Sequence, residues 1–359
     1  MRVTDLSHLP VFGICGFSGA GKTTLVLDLV KRLRERGLAT LVIKHDAHRL
    51  DVDRPGKDSQ RMFAAGSDVL ARDRTQSFLR LHRNDSEELA SLMRASVHAY
   101  DVVLVEGHKS TPLPRKIWLR RHARDRPPES CRPVEHDLGR DDVRDEVAWH
   151  WIEEALARIH REAPTFAGIL IGGQSRRMGR AKHLLNYRGR TWLARIVAVA
   201  RKAADEVVLL GSGDVPTSCA SLARLPDVPG FGGPLAGMCA AMRWNPAARW
   251  IFLACDTPLL TSEALTWLKG QARPGIWTVQ PRLSPTGVPE PLPGWYDYRA
   301  RAPLEGARGP SELVRHPHAA SPIVPADLAG GWMNCNTPRA AHALSEKRIV
   351  IRRPWTDPA

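Results

Sequence analysis

Apolar residues along this chain recur with two different periods. Val11 to Cys15, Ala39 to Lys44 and Asp101 to Glu106 are short, largely apolar runs of the kind that form strands buried on both faces. Between the first two, Leu25, Val26, Leu29, Val30 and Leu33 share one face of a predicted helix that stops at Gly37. Val147, Trp151, Ile152, Ala155 and Ile159 trace a second helical face behind the acidic pair Asp141 and Asp142, which suits a helix N-terminus. Ala163-Pro164-Thr165 breaks that pattern, and a fresh strand is predicted from Phe166 to Ile171. Leu193, Ile196, Val197 and Ala200 then mark an amphipathic helix within Thr191 to Ala204. Strands follow at Glu206 to Leu210 and at Trp250 to Ala254, separated by a glycine-rich loop, Asp227 to Gly237, that enters a helix with Pro234 in its first turn. Such alternation predicts an α/β protein of two doubly wound domains, residues 1–163 and 164–359.

Length agrees, because 359 residues exceed what one hydrophobic core commonly organises. No apolar run reaches the roughly 18 residues of a membrane span, and Met1 to Pro10 is too polar for a signal peptide. Six cysteines are scattered without a C-x-x-C pair. That spacing predicts neither a disulfide framework nor a zinc site, and fits reduced thiols in a cytoplasm. Charge is uneven: residues 1–163 carry 28 Lys+Arg against 25 Asp+Glu, whereas residues 164–359 carry 24 against 13. With 6% aromatic residues and no recognisable nucleic-acid motif, the basic second half reads as an attractor of small polyphosphates rather than of nucleic acid.

Two glycine loops carry the candidate chemistry. The first, Gly16-Phe-Ser-Gly19-Ala-Gly21-Lys22-Thr23-Thr24, fits G-x-x-x-x-G-K-[ST] and lies between a strand and a helix. In that setting Gly16, Gly19, Gly21, Lys22, Thr23 and Thr24 form a phosphate cradle. Lys22 reaches the terminal phosphates and Thr23 ligates Mg2+. Asp101 to Glu106 has the form of the accompanying metal-side strand, with Glu106 where an Asp is usual. The second loop runs from Gly168 through Gly172-Gly173-Gln-Ser175-Arg176-Arg177-Met-Gly179 to Lys182. Adjacent glycines bring backbone N–H groups close to an anion, and Arg177 and Lys182 add fixed charge. Asp256 ends a strand at the edge where open α/β sheets bind ligands, a position suited to Mg2+ against a phosphate.

Gly16 to Thr24, Lys44-His45-Asp46, Asp53-x-Pro-Gly-Lys-Asp-Ser59, Ala65-Gly66, Val105-Glu106-Gly107 and Pro114-Arg-Lys-Ile117 resemble the MobB family, from about Val11 to Arg120. The resemblance implies a GTP-binding P-loop partner in molybdopterin guanine dinucleotide synthesis, with weak hydrolysis at best. It also leads one to expect a further hydrophobic strand where the polar, Pro-rich stretch Arg121 to Pro133 stands.

Gly172-Gly173-x-Ser-x-Arg177-Met-Gly-x-x-Lys182, Gly233-Pro-Leu-Ala-Gly237, Cys255-Asp256-x-Pro258 and Asn334-x-Asn336-Thr-Pro338 resemble MobA, the molybdenum cofactor guanylyltransferase family. This implies a Rossmann-like nucleotidyltransferase domain that moves GMP from GTP to molybdopterin or Mo-molybdopterin with Mg2+, releasing pyrophosphate. Carried over by motif, Leu170, Ile171, Gly172 and Gly173 bind the nucleotide, and Lys182 its phosphates. Asp227 contacts the nucleotide, Asp256 holds metal and nucleotide, and Asn334 and Asn336 lie on the acceptor side. The catalytic set is Lys182, Arg177 and Asp256. Ile171 and Ala181 depart from the family pattern, as does the lack of a polar residue near Leu210. A cytidylyltransferase and an inactive scaffold for cofactor delivery therefore stand as alternatives. Expected partners are molybdoenzyme apoproteins and an upstream molybdenum insertase, with neither nucleic acid nor membrane.

Overall fold

The computed structural model describes residues 9–44, 53–54, 56–80, 82, 96–171 and 182–335. The chain divides into two compact units, Met1–Leu156 and Ala157–Ala359. Both are α/β, as the alternating periods predict.

In the first unit five strands form one parallel sheet: β1 (Val11–Gly16), β2 (Thr40–Lys44), β5 (Val102–Glu106), β6 (Lys116–Leu119) and β7 (His136–Leu138), in the order β2-β5-β1-β6-β7. Every residue of β1, β5 and β6 is buried, in keeping with their largely apolar character, and the two charges among them, Glu106 and Lys116, stand at strand ends. Alternation along the strands supplies two cores. Phe12, Ile14, Leu104 and Ile117 face α1 (Lys22–Glu35) and α3 (Arg144–Glu162), while Val11, Val103 and Val105 pack with Leu9, Val97 and Leu113 on the other side. A short helix α2 (Asp58–Ala64) precedes a separate hairpin, β3 (Val69–Arg72) with β4 (Ser77–Arg80). The edge strand that the family resemblance leads one to expect within Arg121 to Pro133 comes later, as β7, and only three residues of it are paired. Prolines at 127, 128 and 133 remove ladder donors, so the intervening segment crosses as loop.

The second unit is built on a seven-stranded sheet in the order β12-β11-β8-β13-β15-β14-β16. Its parallel centre is β8 (Thr165–Leu170), flanked by β11 (Glu206–Leu210) and β13 (Arg249–Ala254), with β12 (Ala223–Leu225) outside β11. Between β8 and β11 lie a small hairpin, β9 (Asn186–Tyr187) with β10 (Arg190–Thr191), and the helix α4 (Trp192–Ala200). Helices α5 (Pro234–Trp244) and α6 (Ser262–Gly270) follow β12 and β13. The Pro/Gly/Arg-rich region from Pro281 to Ala329, unassigned by periodicity, extends this sheet. β15 (Gly294–Tyr296) runs antiparallel to both β13 and β14 (Thr278–Val279), and β16 (Ala319–Ala320) pairs with β14. A five-residue helix, α7 (Arg301–Glu305), sits in the same region. Among the described residues no helix is long and apolar enough to cross a membrane.

Candidate functional site

In each unit the candidate residues gather at the carboxyl end of the central strand, where doubly wound sheets place ligands. In the first unit β1 delivers the chain into the loop, with Gly16, Gly19 and Gly21 at φ 152°, 77° and 86°, values that side-chain-bearing residues rarely adopt. α1 starts at Lys22 directly behind it. Lys22 Nζ donates to Phe17 O at 2.9 Å, across the mouth of the loop. Burial lowers the pKa of this amine, and Glu106 opposes the shift. Thr23 Oγ1 donates to Glu106 Oε1 at 2.7 Å, which places the strand-end acid of β5 against the hydroxyl that the motif assigns to Mg2+. A hydroxyl that gives its proton to a carboxylate turns its lone pairs outward, so this pair fits a hydrated Mg2+ next to a phosphate. Thr24 is the third residue of α1 and is exposed.

The sequence reading missed Arg144, at the start of α3. Its guanidinium donates to Ala20 O of the phosphate loop at 2.9 Å, and to the carbonyls of Arg120, Leu138 and Gly139 at the ends of β6 and β7. One side chain thus ties the loop to two strand ends. An isolated arginine two residues past a pair of aspartates gave no signal of this.

In the second unit a cavity of about 430 Å3 opens beside the ends of β8, β11 and β13. Leu170, Ile171, Lys182, Asp227 and Asp256, all singled out from sequence, line it. Lys182 Nζ lies 3.3 Å from Asp256 Oδ2, and both side chains are more than four-fifths buried. Among the described residues, Asp256 Oδ1 is buried without a hydrogen-bond partner. A carboxylate oxygen in that condition costs about 1–3 kcal/mol until something meets it. A divalent cation bridging to a phosphate is the fitting partner, since Mg2+ is commonly held by one or two carboxylates, water and substrate oxygens. Among the described residues no cluster of three His, Cys, Asp or Glu could hold a metal by itself. Beside Asp256, burial and the carboxylate's charge raise the Cys255 thiol to about 12.

Gly237 shapes the cavity wall. A Cβ there would come within 2.9 Å of Leu170 Cδ2 and 3.0 Å of Leu210 Cβ, so only glycine lets α5 approach β8 and β11 this closely. Asp227 Oδ1 would lie 3.5 Å from the same point, and Leu292 closes the wall from the unassigned region. Cys335 N donates to Asp256 O at 2.8 Å, which holds the exposed Asn334 one residue from that contact. Gly172, Gly173, Arg177 and Asn336 lie outside the described residues. So do His45 and Asp46 of the first unit.

A P-loop unit followed by a doubly wound unit with a lysine–aspartate pair beside its strand ends defines a nucleotide-handling class of protein. Comparison with known proteins supplies the families. Residues 11–135 match the model of molybdopterin guanine dinucleotide synthesis protein B, MobB, and residues 167–320 match the MobA-like NTP transferase domain. A molybdopterin-guanine dinucleotide biosynthesis adapter protein of Haemophilus influenzae is 39% identical over 127 residues, 34% of this chain and 68% of the relative. A probable molybdenum cofactor guanylyltransferase of Bacillus cereus is 31% identical over 142 residues, 38% of this chain and 70% of the relative. A molybdenum cofactor biosynthesis bifunctional protein of Synechocystis is 31% identical over 137 residues, 38% of this chain and 40% of the relative. The chain belongs to both families, MobB in its first unit and the MobA-like nucleotidyltransferases in its second.

Proposed function

We propose that the second unit transfers GMP from GTP to the terminal phosphate of molybdopterin, forming molybdopterin guanine dinucleotide and pyrophosphate, and that the first unit binds GTP as an adapter fused to it. The observation that carries the chemistry is the Lys182–Asp256 pair with its unmet carboxylate oxygen, set in a cavity of nucleotide size. An acceptor phosphate oxygen attacks the α-phosphorus of GTP. The bond from that phosphorus to the bridging oxygen breaks, and its electron pair leaves with pyrophosphate. Both reactants are anions, so their mutual repulsion is the main barrier and charge neutralisation the main remedy. Mg2+ on Asp256 would supply positive charge at the phosphates. Lys182, released from Asp256 by the incoming triphosphate, aims its ammonium at the same oxygens. Arg177 belongs to the same catalytic set by motif. Leu170, Ile171 and Leu292 exclude water around the base and sugar, while Asp227 faces the nucleotide. Asn334 and Asn336 are assigned to the acceptor side.

Fusion makes any encounter between adapter and transferase intramolecular, so delivery does not depend on the concentration of a second protein. Pyrophosphate release from GTP with molybdopterin as acceptor tests the assignment: Lys182→Ala should abolish it, and full activity in that variant would overturn it. Adding CTP or ATP as competitor checks the base, with guanine expected to win.

A further inference from the structure

The P-loop motif accounts for Lys22, Thr23 and Glu106, yet the structure brings two further cations to the same loop. β5 ends at Glu106, and the chain then turns through two successive residues in the left-handed region, Gly107 at φ 88° and His108 at φ 49°. Glycine adopts this conformation at little cost, but a histidine there is strained by about 1 kcal/mol or more. His108 Nδ1 lies 3.1 Å from Thr111 Oγ1, a contact that holds the turn. What the strained turn delivers is Lys109, whose Nζ sits 4.9 Å from the ring centroid of Phe17, the second residue of the phosphate loop.

Arg121 approaches the same ring from just beyond β6, with its guanidinium 4.8 Å from the centroid. Asp125 holds it there, accepting from Arg121 Nε at 3.2 Å and from the Arg121 backbone N–H at 2.8 Å. The Phe17 ring is itself fixed edge-on against buried Trp118 at 5.1 Å, and its carbonyl is the acceptor of Lys22. Beyond burial, Lys109 and Arg121 both push the Lys22 amine's pKa down by like-charge repulsion. Three cations therefore converge on one half-buried residue, at an electrostatic cost that a polyanion in the loop would remove.

We propose that Lys109 and Arg121 are a clamp for the terminal phosphate of a nucleotide on the P-loop, so that the first unit distinguishes nucleoside triphosphate from diphosphate. The proposal rests on reading the first unit as nucleotide-binding. Backbone amides of the loop serve the phosphates that both nucleotides share, and Lys22 lies where the chain leaves them. A third phosphate adds charge beyond the amide cradle and needs donors of its own, which the ends of β5 and β6 provide.

The test uses the full chain, with the non-hydrolysable analogue GMPPNP and with GDP, each titrated in the presence of Mg2+. The binding component that Lys22→Ala removes belongs to the P-loop and is followed alone. Lys109→Gln should weaken that component about tenfold for GMPPNP and about twofold or less for GDP. Arg121→Gln should move it the same way, and Lys109→Arg should restore discrimination. Equal losses for the two nucleotides, or unchanged affinity for both, would overturn the clamp while leaving nucleotide binding intact. If Lys22→Ala removes no component at all, the nucleotide-binding reading of this unit falls together with the clamp.

Discussion

In the first unit the loop lysine donates to a backbone carbonyl, Phe17 O, and the strand-end acid Glu106 accepts from a hydroxyl. In the second unit the corresponding cation and acid hold each other, Lys182 to Asp256, and one buried oxygen of that acid has no partner among the described residues. In the first arrangement each of these polar groups already has a hydrogen-bond partner, so a nucleotide finds the loop preorganised and mainly draws Lys22 from Phe17 O to its phosphates. The second is incomplete: its lysine must leave its carboxylate, and its carboxylate must find a cation, before either serves a phosphate. Groups satisfied among themselves suit binding, whereas groups that become satisfied only when two charged reactants meet suit chemistry.

The largest expected effect separates the two acids. Asp256→Asn keeps the shape of the side chain but removes its charge, and pyrophosphate release with molybdopterin should fall by about 10^3. Glu106→Gln should leave that rate within about twofold at saturating GTP, and should instead weaken Mg2+-dependent nucleotide binding by the P-loop. A comparable loss of transfer in both variants would mean that the two sites work as one.

A smaller effect separates two glycines, Gly237 within α5 and Gly19 in the P-loop. Gly237→Ala forces a methyl into Leu170 and Leu210, both of which line the transferase cavity. It should cost about 1–3 kcal/mol of stability and reduce transfer. Gly19→Ala meets nothing within 4 Å, so its whole cost is conformational, from φ 77°. That amounts to about 1 kcal/mol, with transfer unaffected. Thermal melts paired with transfer assays check both variants. Equal losses of transfer would contradict the packing argument.

Much of this contrast was legible in the residues. The P-loop, Glu106, Lys182 and Asp256 belong to short motifs whose chemistry fixes their spacing, and all but Lys182, twelve residues past β8, stand at or just past the end of a strand that periodicity marked. The central strands were legible because both their faces are apolar. The edges were not. β7, β14 and β16 are two or three residues each, and a strand that short carries no period. Arg144, Lys109 and Arg121 were equally silent, because each reaches the phosphate loop from a different loop of the sheet. Only the β2-β5-β1-β6-β7 order brings those loops to one edge.

The smallest effect expected is a difference in how the units respond to acid. Where α3 runs past Leu156 into the second unit, burial and the nearby Arg249 hold the His160 pKa down at about 4. Its carbonyl accepts from that same Arg249, which together with Arg299 flanks the buried carboxylate of Asp297. Because His160 stays neutral in the fold while the unfolded chain takes a proton near pH 6.5, stability should fall as pH drops from about 6.5 to about 4. Burial lowers His316 in the same unit and adds in the same direction. The first unit behaves differently. Backbone N–H bonds from Thr75 and Gln76 depress the Asp73 carboxyl to about 2. Its stabilising contribution is fully present above the unfolded value near 3.8 and is lost only as pH falls towards 2. Melting profiles should therefore show a second-unit transition already moving at pH 5.5, and a first-unit transition to which Asp73 adds no change until below pH 4. His160→Gln should flatten the second-unit transition by on the order of 2 °C across that window and leave the first-unit transition unchanged. If the variant shifts both transitions together, the two units unfold as one and their acid responses cannot be assigned separately.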